Sequence, residues 1–296
     1  MATSTLFPAE IEAWRTQIDD ALAGYTQFDA DCPARLAEAI RYCLLAPGKR
    51  FRPLLLLTAT EMCGGTLEEA MPAACAVEMI HNYSLIHDDL PAMDDDDVRR
   101  GRATCHIQFD ESTAILAGDA LIPLAFEIIS REIRPKDLAA LCITALARAS
   151  GPSQLVGGQA DDLGFQFSQP DLETLEHIHR RKTGALIAVS LEMGALIAGA
   201  GPEKLKSVTQ YGKHLGLAFQ IVDDLLDFRG SQAKMGKRAG RDAELGKLTY
   251  PAALGEEKSE LRAREVAQAA IDALEPFGDS ARPLELLARF VIDRTQ

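Results

Sequence analysis

From Gly184 to Gly201 the chain reads GALIAVSLEMGALIAGAG, eighteen residues in which Glu192 is the only charge. A helix that is apolar around its whole circumference needs either lipid or other helices on every side. Length alone admits a membrane span. The run is at the short limit, however, is rich in small residues, and places a carboxylate near its centre, where hydrocarbon makes charge expensive. The segment is therefore read as the central helix of a soluble bundle, buried on all sides.

The rest of the sequence supplies the shell. Strand signals are scarce: β-branched residues rarely alternate with polar ones, and no Asn-Gly or Asp-Gly hairpin turn occurs. Three-to-four spacing is widespread, as in Val77, Ile80, Tyr83 and Ile86, or Leu215, Ala218, Phe219, Val222, Leu225 and Leu226. Breaks are expected at Ala46-Pro47-Gly48, Cys63-Gly64-Gly65, Gly151-Pro152-Ser153, Gly201-Pro202 and Gly230. No internal repeat or Pro/Ser-rich linker divides the chain. The reading is one all-α domain over residues 1–296, with roughly ten helices, larger than a four-helix bundle.

Composition narrows the function. Apolar residues at 47% exclude wholesale disorder, and a net charge of −13 disfavours phosphate backbones and anionic lipid surfaces. Nucleic-acid binding and stable membrane insertion are not expected. The six cysteines form no CxxC pair and no zinc-type spacing, which reads as reduced thiols in a cytoplasmic protein. The first residues, MATSTLFPAEIEAW, lack a basic and then apolar leader, so no signal peptide is expected.

Charge is concentrated at two acidic clusters. The first is Asp88-Asp89-Leu90-Pro91-Ala92-Met93-Asp94. On a straight helix Asp88 and Asp94 would diverge by about 120°, but Pro91 should end the helix and let Asp94 turn back. The second is Asp223-Asp224-Leu225-Leu226-Asp227, where Asp223 and Asp227 share one helical face with Gln220. Like charges stacked without an interleaved lysine repel, so something cationic should occupy that face. Carboxylates that leave room for phosphates and water suit Mg²⁺. No EF-hand or P-loop order is present. Asp95, Asp96 and Asp97 are read as a solvated acidic face.

Basic residues indicate what such ions would bridge. Gly48-Lys49-Arg50-Phe51-Arg52-Pro53, Arg99-Arg100 and His179-Arg180-Arg181-Lys182-Thr183-Gly184 bring cations near the clusters. Residues 230–247 carry a net +3 with four glycines and include Lys237 and Lys247, which reads as a mobile cationic loop. Acidic clusters holding Mg²⁺ beside scattered Lys and Arg form a diphosphate clamp.

These segments resemble the trans-isoprenyl diphosphate synthases, most closely the bacterial farnesyl-forming ones. His87–Asp94 resembles the first Asp-rich motif in its DDxxxxD form, and Phe219–Asp227 the second, DDxxD. Gly48–Pro53 is similar to the GKxRP segment, Lys182-Thr183-Gly184 to the KT motif, Gly158–Leu163 to GQxxDL, and Gly246–Pro251 to the GK-T-P segment. The resemblance runs from about residue 30 to the end, with the motifs in family order.

The resemblance implies an all-α barrel of about ten helices around a central cavity, usually homodimeric. It implies that Asp88, Asp89 and Asp94 bind two Mg²⁺ and that Asp223 with Asp227 helps bind a third, Mn²⁺ being the alternative metal. Arg99, Lys182 and Lys237 would then hold the allylic diphosphate, dimethylallyl or geranyl. Gly48, Lys49, Arg52, His81 and Arg100 would bind isopentenyl diphosphate, with Lys247 a further diphosphate contact. Metals and lysines would neutralise the departing diphosphate so that the allylic C–O bond ionises, and the isopentenyl double bond would attack the cation. Thr183 and Gln220, neutral dipoles, would face that cation. Tyr83, five residues before Asp88, would form the floor of the cavity, while Ser84 leaves the growing tail room; this implies a farnesyl product. Other readings are a synthase of ten- or twenty-carbon products, a terpene cyclase and an inactive regulatory subunit. A cyclase needs no second DDxxD and no Lys49, Arg52 or Arg100; an inactive subunit tends to lose aspartates that are complete here.

Overall fold

The computed structural model describes residues 9–166, 168, 171–233 and 248–293. Its centre is α10, Ala185–Ile197, the core of the apolar run. Leu186, Ile187, Leu191, Met193 and Ala195 are fully enclosed. The helix is packed by α3 (Phe51–Met62), α4 (Leu67–Asp88), α7 (Lys136–Ser150) and α11 (Pro202–Ala233). Its small residues set the spacing. A side chain at Gly194 would meet the Leu56 carbonyl oxygen at 2.3 Å, and Gly212 and Gly216 of α11 lie against Ala188 and Gly184. The run is thus the buried centre of a helical assembly. Glu192 is half-buried, as are Ala185, Leu196 and Ile197, and its carboxyl is pushed up by burial and drawn down by Arg148 and Lys213.

The outer helices are α1 (Ala9–Tyr25), α2 (Ala34–Leu44), α5 (Cys105–Gln108), α6 (Glu111–Glu132), α8 (Leu155–Gly164), α9 (Leu172–His179), α12 (Tyr250–Leu254), α13 (Glu256–Asp272) and α14 (Arg282–Asp293). Among the described residues the only strands are a two-residue antiparallel pair, Val98–Arg99 with Arg102–Ala103. The all-α expectation holds. The apolar helix α6 is long enough to cross a membrane by length and composition. It lies along α4, burying Ala114, Ala117 and Leu121 and leaving Ile115 and Leu116 exposed.

Two long helices carry the acidic clusters. At the start of α4, Thr66 accepts from the Glu69 N–H and donates its hydroxyl to the Glu69 carboxylate, while Glu68 and Glu69 complement the helix dipole. The helix ends at Asp88, ahead of Pro91. Helix α11 corrects an expectation: it continues through Gly230 to Ala233. Arg229 pairs there with Glu256 and Glu260 of α13.

Candidate active site

The first acidic cluster forms where α4 stops. The Asp94 N–H donates to the Asp88 carbonyl at 2.8 Å, and the Asp96 N–H to the Asp89 carbonyl at 3.1 Å. Asp94 therefore returns to the helix end, as the Pro91 break leads one to expect. Asp89 and Asp94 are buried. Arg99, on the first short strand, donates from Nε to Asp89 Oδ1 at 2.7 Å. Burial pushes the Asp89 carboxyl up, and Arg99 draws it back. The expected diphosphate contact and one expected metal ligand thus form a single ion pair.

A pocket of cations lies beside it. Arg100 reaches the Pro47 carbonyl at 3.4 Å, and its guanidinium lies so close to Gly48 that a Cβ there would sit 2.5 Å from Nη1. A larger residue there would push the exposed Arg100 guanidinium aside. Between Lys49 and Phe51 the backbone turns left-handed at Arg50, with φ 46°. That turn sends Arg50 inward, onto Asp19 at 2.6 Å, Glu78 at 3.0 Å and the Ala46 carbonyl at 3.0 Å. Arg50 is thereby a structural cation, while Lys49 is exposed. The Arg52 Nε is buried and, among the described residues, has no hydrogen-bond acceptor. Burial draws Arg52 down to about 10; Arg100 adds to the fall, and Glu78 and Asp223 oppose it. Half-buried His81 is held well below the usual imidazole range by burial and by Arg52, Arg100, Arg99 and Arg50. Such a cationic pocket, with a neutral imidazole, suits a diphosphate.

The third wall is a π-helical turn, Arg180–Gly184, between α9 and α10. Lys182 Nζ donates to buried Asp162 at 2.6 Å. Burial opposes its charge, but Asp162, Asp88 and Asp94 outweigh burial and hold it cationic. Gly158 lets the two backbones approach, since a Cβ there would lie 2.4 Å from the Lys182 backbone nitrogen. Arg181 turns the other way, to Asp161 and the Ser153 carbonyl. Thr183 donates to Gln220 Oε1 at 2.9 Å, which ties the turn to the second cluster on α11. There Asp223 and Asp227 are half-buried and Asp224 is buried. Phe219 stacks on Phe51 with centroids 5.2 Å apart, joining α11 to the cationic pocket.

Tyr83 is buried, its ring edge-to-face with His87 at 5.9 Å, and burial and Asp88 push its hydroxyl up to about 12. Ser84 turns its hydroxyl back to the His81 carbonyl at 2.9 Å. The structure thus gathers Gly48, Arg52, His81, Arg99, Arg100, Asp88, Asp89, Asp94, Lys182, Thr183 and Gln220 through linked contacts and fields. Lys237 and Lys247 lie outside the described residues. Asp162, inside GQxxDL, and Asp224, inside DDxxD, carry contacts that the motifs alone do not assign. The signal for Asp162 is its position in the motif facing a lysine that must stay charged.

Among the described residues no three acidic, histidine or cysteine side chains converge closely enough to hold a metal by themselves. The donor chemistry still fits Mg²⁺: hard carboxylate oxygens at two places, leaving coordination positions for diphosphate oxygens and water.

Residues 33–279 match the polyprenyl synthetase family, and the chain belongs to it. The farnesyl diphosphate synthase of Escherichia coli is 44% identical over 301 residues, covering 98% of this chain and 99% of that protein. The geranylgeranyl diphosphate synthase of Cyanophora paradoxa is 46% identical over 265 residues, covering 88% of each. A crystal structure of an FPP/GFPP synthase from Zymomonas mobilis shares the fold with TM-score 0.86 and 38% identity, over 96% of this chain and 97% of that one. The protein is a prenyltransferase of the trans-prenyl diphosphate synthase type. Its substrates are isopentenyl diphosphate and an allylic diphosphate, and its family depends on a divalent metal.

Proposed function

We propose that this chain, one synthase domain over residues 1–296, joins isopentenyl diphosphate head-to-tail to dimethylallyl and then geranyl diphosphate, releasing (E,E)-farnesyl diphosphate. The observation that carries the chain length is Tyr83, a buried ring one helical turn and a residue before Asp88. A tail anchored at the Asp88 end extends along α4, and a turn of ~5.4 Å is close to one isoprene unit. Ser84 leaves space; the Tyr83 ring closes it. Relatives bear both farnesyl and geranylgeranyl names at similar identity, so Tyr83 is what favours the shorter product.

Asp88, Asp89 and Asp94 would hold two Mg²⁺, or Mn²⁺, and Asp223 with Asp227 a third. When bound, these ions neutralise the leaving diphosphate. Lys182, held cationic, adds its charge to the same group, with Arg99 steadying Asp89 and Lys237 and Lys247 contributing from the cationic segment. Lys49, Arg52 and Arg100 hold the isopentenyl diphosphate, Gly48 leaves the backbone open to it, and neutral His81 supplies a hydrogen bond. The allylic C–O bond breaks, the isopentenyl double bond forms the new C–C bond, and the proton lost goes to the released diphosphate. Thr183 and Gln220 present fixed dipoles to the cation at no cost of reorganisation. The chain's contribution is positioning and electrostatics.

The protein is expected to be cytoplasmic and to act as a homodimer, for which the exposed Ile115, Leu116 and Leu141 of α6 and α7 offer an apolar surface. The test incubates the protein with dimethylallyl or geranyl diphosphate, isopentenyl diphosphate and Mg²⁺, and reads product length by chromatography. Farnesyl diphosphate as the end product supports the reading; a twenty-carbon end product overturns it.

A further inference from the structure

Asp224 belongs to the second acidic cluster, yet its position is unlike that of Asp223 and Asp227. One residue of α-helix turns it ~100° from the Asp223 direction. It is buried, and both its oxygens are used: Oδ1 accepts from Gln220 Nε2 at 2.9 Å, and Oδ2 accepts from the Tyr250 backbone N–H at 3.0 Å. His179, whose ring stacks on Tyr250 with centroids 5.7 Å apart, brings Nε2 to 3.3 Å from the same Oδ2, off the line of a hydrogen bond.

We propose that Asp224 is a positioning residue that fixes the polarity of the Gln220–Thr183 pair, so that oxygen lone pairs rather than protons face the developing cation. The proposal rests on the cation chemistry of the preceding section. A carboxylate can only accept hydrogen bonds. With Tyr250 on one oxygen, the Gln220 amide must turn its NH₂ to the other, whichever way the amide is drawn. Gln220 Oε1 is then left to accept from Thr183, at 2.9 Å. The Thr183 proton is committed to that bond, and its lone pairs are left pointing away from it. The relay runs in one direction only: Thr183 to Gln220 to Asp224.

The substitution Asp224→Asn reverses the relay. The new side chain keeps the Tyr250 bond only through its amide oxygen, because a buried N–H facing an NH₂ is left unsatisfied at high cost. Its NH₂ then faces Gln220, which must flip. Gln220 now donates to Thr183, and the hydroxyl proton is released towards the cation. The shape of the site is retained and the sign of its dipoles is inverted.

The experiment is a double-mutant cycle of Asp224→Asn with Gln220→Ala, with folding checked by circular dichroism. Asp224→Asn is expected to lower kcat about tenfold or more while both KM values and the Mg²⁺ half-saturation stay within about threefold. In the Gln220→Ala background the same change is expected to add less than about twofold, because Asp224 acts through that amide. A rise in the Mg²⁺ requirement would make Asp224 a metal ligand and overturn the proposal. Full additivity with Gln220→Ala, or a protein that no longer folds, would overturn it too. Failure of the wild type to elongate any allylic diphosphate would instead refute the proposed function.

Discussion

Arg99 closes Nε and one terminal nitrogen on the same oxygen of Asp89, each at 2.7 Å. A guanidinium gripping one oxygen pins the carboxyl group and leaves the second oxygen as the one that can turn to a metal. Replacing Arg99 with Gln should therefore raise the Mg²⁺ concentration for half-maximal activity about tenfold, the effect of losing an orienting partner of a metal ligand. Chelation with EDTA should abolish turnover. Asp88→Ala and Asp223→Ala should each lower kcat at least about a hundredfold with helix content unchanged by circular dichroism. Activity surviving in EDTA would remove the metal from the mechanism.

The two cationic walls should separate in steady-state kinetics. Lys49→Ala and Arg52→Ala are expected to raise the KM for isopentenyl diphosphate about tenfold or more, with less effect on the allylic substrate. Lys182→Ala should mainly lower kcat, because the charges of Asp88 and Asp94 act on its ammonium at the end of the site where the allylic diphosphate is expected. Equal effects of all three on both substrates would mean that the walls do not divide the labour.

Arg50 and Arg52 are two residues apart and should behave oppositely in stability. Arg50 is enclosed with Glu78 at 3.0 Å, and both side chains are almost fully buried. Arg50→Met leaves Glu78 with an uncompensated buried charge and should cost about 3–5 kcal/mol in urea unfolding. Arg52→Met removes a guanidinium whose Nε is already without an acceptor among the described residues, so the fold should survive it with stability equal or higher.

His81 gives a pH dependence of known sign. Its folded pKa lies well below the ordinary imidazole value of about 6.5. As pH falls, the unfolded chain takes up this proton before the folded one, so stability is full above about 6.5 and declines below it. His81→Gln should flatten that decline in urea midpoints compared at neutral and mildly acidic pH. An unchanged slope would show that other groups carry it.

Tyr83→Ala should open the floor of the tail cavity and yield twenty-carbon or longer products with ionisation intact. Farnesyl diphosphate remaining the sole product of this variant would move the floor to another helix. The measurement is product length by chromatography under single-turnover and steady-state conditions.

Much of this architecture was legible because helices announce themselves in spacing. The burial of Leu186, Ile187 and Leu191 follows from an apolar run with one charge, and the return of Asp94 to Asp88 from a proline three residues after the helix end. What the sequence did not disclose is where a side chain spends its bonds. Arg50 and Arg52 look alike in a string of cations; a left-handed backbone turn at Arg50 sends one into the core. Asp224 looks like its neighbours until the Tyr250 N–H, twenty-six positions later, is found on it. Gly230 reads as a break because the Glu256 and Glu260 partners of Arg229 are remote in sequence.

The π turn at Arg180–Gly184 has a consequence for anyone who edits this protein. Such a turn carries about one residue more than the α-helical turn it replaces, and every position beyond it is rotated relative to the helix before it. Lys182 and Arg181 both lie inside that turn, and from it they reach Asp162 and Asp161. Deleting one residue there would conserve every charge in the segment and still dismantle the site, because the helix downstream would rotate by ~100°. Chimaeras and loop grafts that cross this point must therefore preserve residue count before residue identity: the register of a single turn decides which cation the chemistry sees.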